Sequence, residues 1–384
     1  MYRRRPNQPV KETAARLLRE VVWPRRGVAG QMAAALLQPL SAAYGIGVAV
    51  RNSLYDFRLL RGVRANIPVI SVGNLAVGGT GKTPVSLWLA KQLQARGHRV
   101  AVLLRGYGGR IKGPVLVSQG RGPEVDVQHA GDEAIFYAKN FSGGVIVGAE
   151  RLRGAELACQ AGYGVVILDD GFQHRALARD FDLVLLSGPL GGLLPAGPLR
   201  EPYRSLARAD ALAVVDKGLG KPLLGPPRSA AGKPLFSIRL EPTGVIESEG
   251  GRWTVRPLRE LSGRRVAVVC GIADPGPLYA ALQQWEVQVG EVFEFGDHHA
   301  YTVADWHWLN RSAHRFDHLV TTEKDLVKLE QFPFARGKLL ALRVEPIVDR
   351  AAELLDLAEQ RILARQSTVA DRAQSFAGGS HAHQ

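Results

Sequence analysis

The sequence predicts an α/β protein built on a doubly wound, mostly parallel sheet, and three observations carry that expectation. Short apolar, β-branched runs at residues 69–72, 100–104, 145–147 and 165–168 recur with helical stretches between them. That is the rhythm of βαβ units with strands buried on both faces. A glycine-rich turn, Gly78-Gly-Thr-Gly81, joins the first run to a helix rather than to a hairpin. After Pro- and Gly-rich stretches at 218–227 and 242–251 the alternation begins again, which predicts a second, smaller α/β domain.

The stretch Ile67-Pro-Val-Ile-Ser-Val-Gly-Asn-Leu-Ala-Val-Gly-Gly-Thr-Gly-Lys-Thr-Pro84 organises the chain. A strand over 69–72 leads into the glycine turn, and Pro84 stands where a first helical turn tolerates it, opening a helix over 85–96. Strand, glycine loop, Gly-Lys-Thr and helix make a P-loop. Backbone N–H groups from Gly78, Gly79, Thr80 and Gly81 can cradle phosphates, helped by the positive potential of the helix N-terminus. Lys82 would reach the β/γ-phosphates and the Thr83 hydroxyl would ligate Mg²⁺. Ala76 replaces the glycine of the strict pattern, with Gly78 and Gly79 supplying the turn. The fold expectation is therefore P-loop NTPase-like, and the protein is expected to depend on a nucleotide.

Hydrophobic content of 46% and charged content of 22% describe an ordinary globular chain. The formal charge of +13 is uneven: the first 26 residues hold eight cationic side chains against Glu12 and Glu20, close to half the excess. Such a balance suits nucleic acid, an anionic membrane surface or a phosphorylated substrate. Cys159 and Cys270 lie far apart, which excludes a disulfide framework and a cysteine zinc site and fits a reducing compartment. No secretory signal is evident, because the positive start is not followed promptly by an apolar core and a cleavage site. Residues 28–50 are apolar but interrupted by Gln31, Gln38, Pro39 and Ser41. They read as an N-terminal interfacial helix flanked by arginines, or as a helix packed on the protein's own core, rather than as a membrane span. The expected organisation is a basic arm (1–27), a membrane-associated helix region (28–64), a P-loop domain (65–235), a linker (236–263), a smaller α/β domain (264–365) and a disordered tail (366–384).

The second strand, 100–104, ends in Arg105-Gly-Tyr-Gly-Gly109, at the end of the sheet where such folds deliver functional groups. Residues 115–118 read as a hairpin strand. Asp132 and Glu133 open a helix through residue 140, followed by a strand at 145–147 and a helix at 150–160. The most apolar strand, 165–168, ends in Asp169-Asp-Gly-Phe-Gln-His174. A carboxylate at the end of a buried strand beside a P-loop suits a second metal ligand, which makes Asp169 and Asp170 candidates. Strands follow at 183–186 and 211–215. The smaller domain has strands at 266–270, 291–295, 318–321 and 339–344 and helices at 277–284, 303–311 and 351–364. There, Asp297-His-His299 offers a histidine–carboxylate pairing that would raise the basicity of a general base.

In order along the chain, these motifs resemble the tetraacyldisaccharide 4'-kinase family of lipid A biosynthesis, over residues 30–345. The matching pieces are the P-loop stretch, Leu104-Arg-Gly-Tyr-Gly108, Gly131-Asp-Glu133, Asp169-Asp-Gly-Phe-Gln-His174, Gly197-Pro-Leu-Arg-Glu201, Phe295-Gly-Asp-His-His299 and Thr321-Thr-Glu-Lys-Asp325, with Leu37-Gln-Pro-Leu-Ser41 near the start. The resemblance implies transfer of the ATP γ-phosphate to the 4'-hydroxyl of an acylated disaccharide 1-phosphate. It places the work at the cytoplasmic face of the bacterial inner membrane, with the enzyme peripheral or monotopic. It implies that Asp132 takes the hydroxyl proton, partnered by His298. Lys82 would clamp phosphates, Thr83, Asp170 and Glu201 would stand near Mg²⁺, and Asp169 would support the metal or the nucleophile. Arg105, Tyr107, Glu133, Arg151, Gln173, His174 and Arg200 would line the substrate side.

The competing enzyme reading is a partition-type or metallocentre-loading ATPase, which needs no hydroxyl acceptor. Such proteins often carry a lysine just before the double glycine, where this chain has Val77. A nucleic-acid module is not expected, because aromatic residues are not interleaved with the basic excess. No obligate protein partner is expected.

Overall fold

The computed structural model describes residues 2–4, 17–187, 191–219, 230–272 and 274–379, with side chains between residues 17 and 369. Residues 5–16 of the expected basic arm, 220–227 of the first Pro/Gly-rich stretch and 380–384 of the tail lie outside the described residues. The chain opens with a short strand, β1 (Tyr2–Arg4), and a 30-residue helix, α1 (Gly27–Asp56). Pro39 lies inside α1 without ending it. A proline there removes one backbone hydrogen bond, and the polar interruptions that weighed against a membrane span sit within one continuous helix.

The first half follows the expected alternation. Its elements are β2 (Val69–Asn74), α2 (Lys82–Ala95), β3 (Val100–Leu104), β4 (Val115–Ser118), α3 (Val127–Ala130), α4 (Asp132–Asn140), β5 (Gly144–Val147), α5 (Arg151–Gln160), β6 (Val165–Asp169), β7 (Phe181–Leu186) and β8 (Ala211–Asp216). The strands lie in the order β4–β5–β3–β6–β2–β7–β8, parallel except for β4. β2 is buried along its whole length between β6 and β7, as its continuous apolar run requires. The β2–α2–β3 crossover therefore steps over β6. Where neighbouring strands send their connections apart, a crevice opens at the strands' carboxyl ends; here it falls between the P-loop and the Asp169-Asp170 turn.

The second half contains β9 (Leu235–Glu249), β10 (Arg252–Arg256), β11 (Arg265–Cys270), α6 (Gly276–Gln284), β12 (Gln288–Glu294), α7 (Val303–Ala313), β13 (His318–Thr322), α8 (Glu323–Leu329), β14 (Leu339–Val348) and α9 (Ala351–Gly379). The expected linker, 236–263, is folded. β9 runs parallel to β8 over Leu235–Arg239 and antiparallel to β14 over Ile238–Glu247, so one sheet continues through both halves. Pro242 and Gly244 mimic a linker in the sequence, but the β14 partner register passes from Gly244 to Pro242 and skips Thr243. A bulge is the place where a strand interior accepts proline.

α9 also departs from expectation. It runs to Gly379 rather than ending at 364, through a stretch without proline and rich in good helix formers. Its apolar face, Leu354, Leu355, Ala358 and Ile362, is buried in the same core as the P-loop helix residues Val85 and Leu89. Arg96 bonds Asp356 at 2.6 Å and His98 bonds Glu359 at 2.7 Å, so the last helix of the second half is clamped onto the first.

Candidate active site

The P-loop is shaped by side chains as well as by glycine. Gly81 precedes α2 with φ +85°, and a Cβ there would meet Leu240 Cδ1 at 2.9 Å. This position requires glycine for both conformation and space. Asn74 Nδ2 donates to the Ala76 carbonyl and to Thr80 Oγ1, both at 2.7 Å, bracing the loop from beneath. Gln173 Nε2 donates to the Asn74 carbonyl at 2.6 Å, and Val77 N–H to the Pro198 carbonyl at 2.8 Å. The P-loop is thus fixed between the Asp-Asp-Gly-Phe-Gln-His turn and the Gly197–Glu201 segment.

The two neighbouring aspartates have separate environments. Asp169 is buried, bonded by Ser86 Oγ at 3.2 Å and by the Tyr137 hydroxyl at 2.9 Å, which also donates to the Thr83 carbonyl. Burial, with repulsion from Glu133, pushes its carboxyl up to about 6. Asp170 has a left-handed backbone, φ +56°. Its Oδ2 accepts from Arg200 at 2.9 Å while Oδ1 faces Lys82 Nζ at 3.6 Å. Burial disfavours its charge, but Lys82 and Arg200 hold it below the usual carboxylate value. Asp169 therefore joins α2 to α4, and Asp170 presents the charged oxygen to the P-loop.

Across the cleft, Asp132 opens α4 and meets His298 from the loop after β12. His298 Nδ1 lies 3.0 and 3.2 Å from the two Asp132 oxygens, and Glu133 N–H bonds Asp132 Oδ1 at 2.9 Å. Gly131 permits this arrangement: with φ +86°, it lies where a Cβ would meet the Tyr107 carbonyl at 2.6 Å. Burial would raise the Asp132 carboxyl, yet the hydrogen bond and charge of His298, with Lys328 and Lys324, hold it down at about 2. The bond to Asp132 raises His298 against the opposing effect of burial. At 7% exposure Asp132 is nearly enclosed, and His298 also has a left-handed backbone, φ +57°. Non-glycine residues held there cost about 1–3 kcal/mol and concentrate at functional sites.

One cavity of about 1410 Å³ joins the P-loop, Asp170 and His298, while Asp132, bonded to His298, is not part of its wall. Its wall includes Gly78, Gly79, Thr80, Gly81, Lys82 and Thr83 of the P-loop, and Arg105, Tyr107 and Glu133 beside the α4 start. The first half also contributes Arg151, Asp169, Asp170, Gln173, His174 and Arg200, and the second half contributes Asp297, His298 and Lys324 among others. Arg151 is 6% exposed, with Nη1 buried and lacking a hydrogen-bond partner among the described residues. Burial lowers its guanidinium to about 10, and burial likewise lowers His174. An arginine so placed suits a phosphate. Tyr107 is exposed, its ring centroid 5.7 Å from that of His298.

The structure does not bring Glu201 to the cavity. It is 1% exposed, and its oxygens are taken by Arg51 at 2.7 Å, Arg208 at 2.8 Å and Asn52 at 3.2 Å. Glu201 instead anchors the C-terminal part of α1, beside Arg200, whose carbonyl accepts from Tyr44 at 2.9 Å. Three residues carry contacts that sequence reasoning did not assign: Tyr137, Lys324 and Lys328. Lys324 Nζ bonds Glu133 at 2.6 Å, and Lys328 Nζ lies 3.5 Å from Asp132. The signal for Lys324 was the Thr-Thr-Glu-Lys-Asp run, whereas Lys328 lies one turn beyond it on the same helix face and outside any motif.

A phosphate loop, a charged strand-end carboxylate and a histidine backed by a buried carboxylate, all reached from one cavity, define a P-loop phosphotransferase. The model of the family described as "Tetraacyldisaccharide-1-P 4'-kinase" matches residues 33–362, and the chain belongs to that family. It is 38% identical over 362 residues to the tetraacyldisaccharide 4'-kinase of Anaeromyxobacter sp. (strain K), covering 90% of this chain and 95% of the relative. To the namesake from Syntrophotalea carbinolica it is 41% identical over 303 residues, 77% and 83% of the two chains. A crystal structure of LpxK from Aquifex aeolicus in complex with ATP superposes with a TM-score of 0.73 at 33% identity, covering 86% of this chain and 99% of that one.

Proposed function

We propose that this protein transfers the γ-phosphate of ATP to the 4'-hydroxyl of a tetraacylated disaccharide 1-phosphate, with the Asp132–His298 pair accepting the hydroxyl proton. The observation that carries this reading is the 3.0 Å contact between His298 Nδ1 and Asp132, two residues supplied by different halves of the chain, with His298 on the wall of the cavity shared with the P-loop. A positioned base serves an attacking alcohol, and in a hydrolytic ATPase it would orient water instead, so dependence on the lipid acceptor is what separates the two.

The residues present fit Mg²⁺ and nucleotide phosphates. Asp170 Oδ1 is buried with no hydrogen-bond partner among the described residues, and the Thr83 hydroxyl lies at the start of α2, giving the hard oxygen donors Mg²⁺ prefers. Added Cβ atoms at Gly78 and Gly79 would meet nothing within 4 Å, which leaves the loop backbone open to a ligand. Mg²⁺, when bound, neutralises phosphate charge. Lys82 binds and orients the phosphates, and Arg151 and Arg105 offer positive charge to the substrate. The Asp132–His298 pair holds the proton. Incubating the full chain with γ-labelled ATP and tetraacyldisaccharide 1-phosphate should label a bisphosphorylated lipid on chromatography. ATP consumption indifferent to the lipid would sink this reading in favour of the ATPase.

The same reading places the protein on the cytoplasmic face of the inner membrane. α1 is long and apolar enough to cross a membrane by length and composition. However, Ser41, Tyr44, Arg51 and Asn52 tie much of it sideways to residues 193–201. Its outward residues include Met32 (61% exposed), Leu36 (77%) and Leu40 (59%), continued by Phe57 (77%). A helix held along the body with an apolar outer face suits the headgroup region, and the neighbouring Arg58 and Arg61 favour anionic lipid. Mixed phosphatidylglycerol–phosphatidylcholine vesicles should co-sediment the protein at low salt, and a combined M32E/L36E/L40E variant should stay in the supernatant. A variant that sediments like wild type would refute docking through this face.

A further inference from the structure

Lys328, on α8, is buried behind the Asp132–His298 pair at 7% exposure. Its ammonium lies 3.1 Å from Asp325 Oδ1, 3.5 Å from Asp132 Oδ2 and 5.4 Å from the centre of the Tyr301 ring. Asp325 is fully buried; it accepts from the N–H of Gly271 at 2.9 Å, from Thr322 Oγ1 at 2.8 Å and from the Tyr301 hydroxyl at 3.2 Å. The Gly271 carbonyl in turn accepts the His298 N–H at 3.2 Å. One ammonium therefore touches the carboxylate of the pair directly and, through Asp325 and Gly271, holds the backbone that carries the imidazole.

We propose that Lys328 is a positioning residue for phosphoryl transfer: it fixes Asp132 relative to His298 and biases the pair toward its unprotonated form. The inference rests on the Asp132–His298 reading. The bland alternative is that Lys328 only compensates the buried Asp325 three residues earlier on its own helix. The two differ in what happens to the proton. The charged groups facing the pair are Glu133 beside Asp132 on α4, Lys328 and Lys324 from α8, and Asp297, 4.0 Å from His298 Nε2 in the loop after β12. A cation this close opposes protonation of the pair, so its removal must raise the pH at which the pair becomes competent. A helix-stabilising lysine leaves that pH unchanged.

The test is the pH dependence of kcat/KM for labelled phosphate transfer to tetraacyldisaccharide 1-phosphate, with melting curves recorded first. K328M should move the acid limb upward by about one pH unit. It should lower kcat by up to about 10²-fold, the effect of misaligning reacting groups by about 1 Å, with the KM for ATP little changed. K328R, which keeps the charge, should retain the wild-type limb. If K328M does not fold, K328Q, neutral but still a donor to Asp325, is measured in its place. K139M serves as control: it removes the ion pair of Lys139 with Glu330, 2.7 Å long, at the other end of the α4–α8 contact, and its limb should coincide with wild type. An unmoved limb in the neutral Lys328 variant, or an equal shift in K139M, overturns the proposal. Wild-type turnover in D132A and H298A would overturn the underlying reading instead, so the two failures are distinguishable.

Discussion

Asp132→Ala and His298→Ala are each expected to lower turnover by about 10²–10⁴-fold, the range supplied by a positioned general base, with little change in the KM for ATP. Neither residue carries the P-loop, so nucleotide binding should survive while the hydroxyl loses its proton acceptor. The pair's oxygens and nitrogens are shared closely enough, at 3.0 and 3.2 Å, that it titrates as a unit. Asp132 is held at about 2 while His298 is raised, so the proton gained by the pair resides on the imidazole. The competent form is unprotonated, so activity should be present above the raised histidine value and be lost as pH falls through it. The acid limb of the wild-type profile is therefore expected above about 6.5, the ordinary imidazole value. Asp132→Asn keeps the shape and removes the charge, and should resemble Asp132→Ala in rate. Rates near wild type for both alanine variants would remove the pair from the chemistry.

Much of this site was legible in the sequence because it depends on short-range patterns. The strand–glycine–helix order around Lys82 and the acid turn after residue 168 each occupy one supersecondary unit, and both stand where expected. The partnership of Asp132 with His298 spans 166 residues, and no local periodicity encodes it; only the family resemblance suggested it. Glu201 shows the opposite failure. Its motif neighbour Arg200 does reach Asp170, but Glu201 turns to Arg51, Asn52 and Arg208, and a buried carboxylate follows the cations available to it. β9 was missed because Pro242 and Gly244 punctuate like a linker, whereas a bulge absorbs them. Lys328 carried no motif, and its meaning comes from α8 packing against α4, a tertiary fact.

That packing also explains how two halves make one site. Along the α4–α8 contact, Lys324 pairs with Glu133, Lys328 approaches Asp132 and Lys139 pairs with Glu330. In two of these pairs the acid comes from the first half and in the third from the second, so separating the halves strands the largely buried charges of Asp132, Lys328, Lys139 and Glu330, which is strongly unfavourable. β9 and α9 add covalent and packed connections on either side. The Asp132–His298 pair therefore sits at a seam stabilised by charge, beside the cavity that His298 lines.

Lys82→Met is expected to reduce kcat by about 10²–10³-fold, comparable to removing a preorganised donor from a developing charge, and to weaken ATP binding as well. The lysine stands at the first position of α2, where it combines its own charge with the helix N-terminus. It faces Asp170 Oδ1 at 3.6 Å, an oxygen without a hydrogen-bond partner among the described residues. With Lys82 gone, one of the two cations that lower Asp170 is lost while Arg200 remains, so the carboxylate should become easier to protonate and the acid side of the profile should broaden. Lys82→Arg should rescue little, because the planar guanidinium cannot replace a compact ammonium in a loop whose Gly81 already lies against Leu240. Single-turnover transfer of labelled phosphate separates the loss of chemistry from the loss of binding. A Lys82→Met enzyme with an unchanged single-turnover rate at saturating ATP would mean that the transferring phosphate is stabilised elsewhere in the cavity, with Arg151 the remaining buried cation to examine.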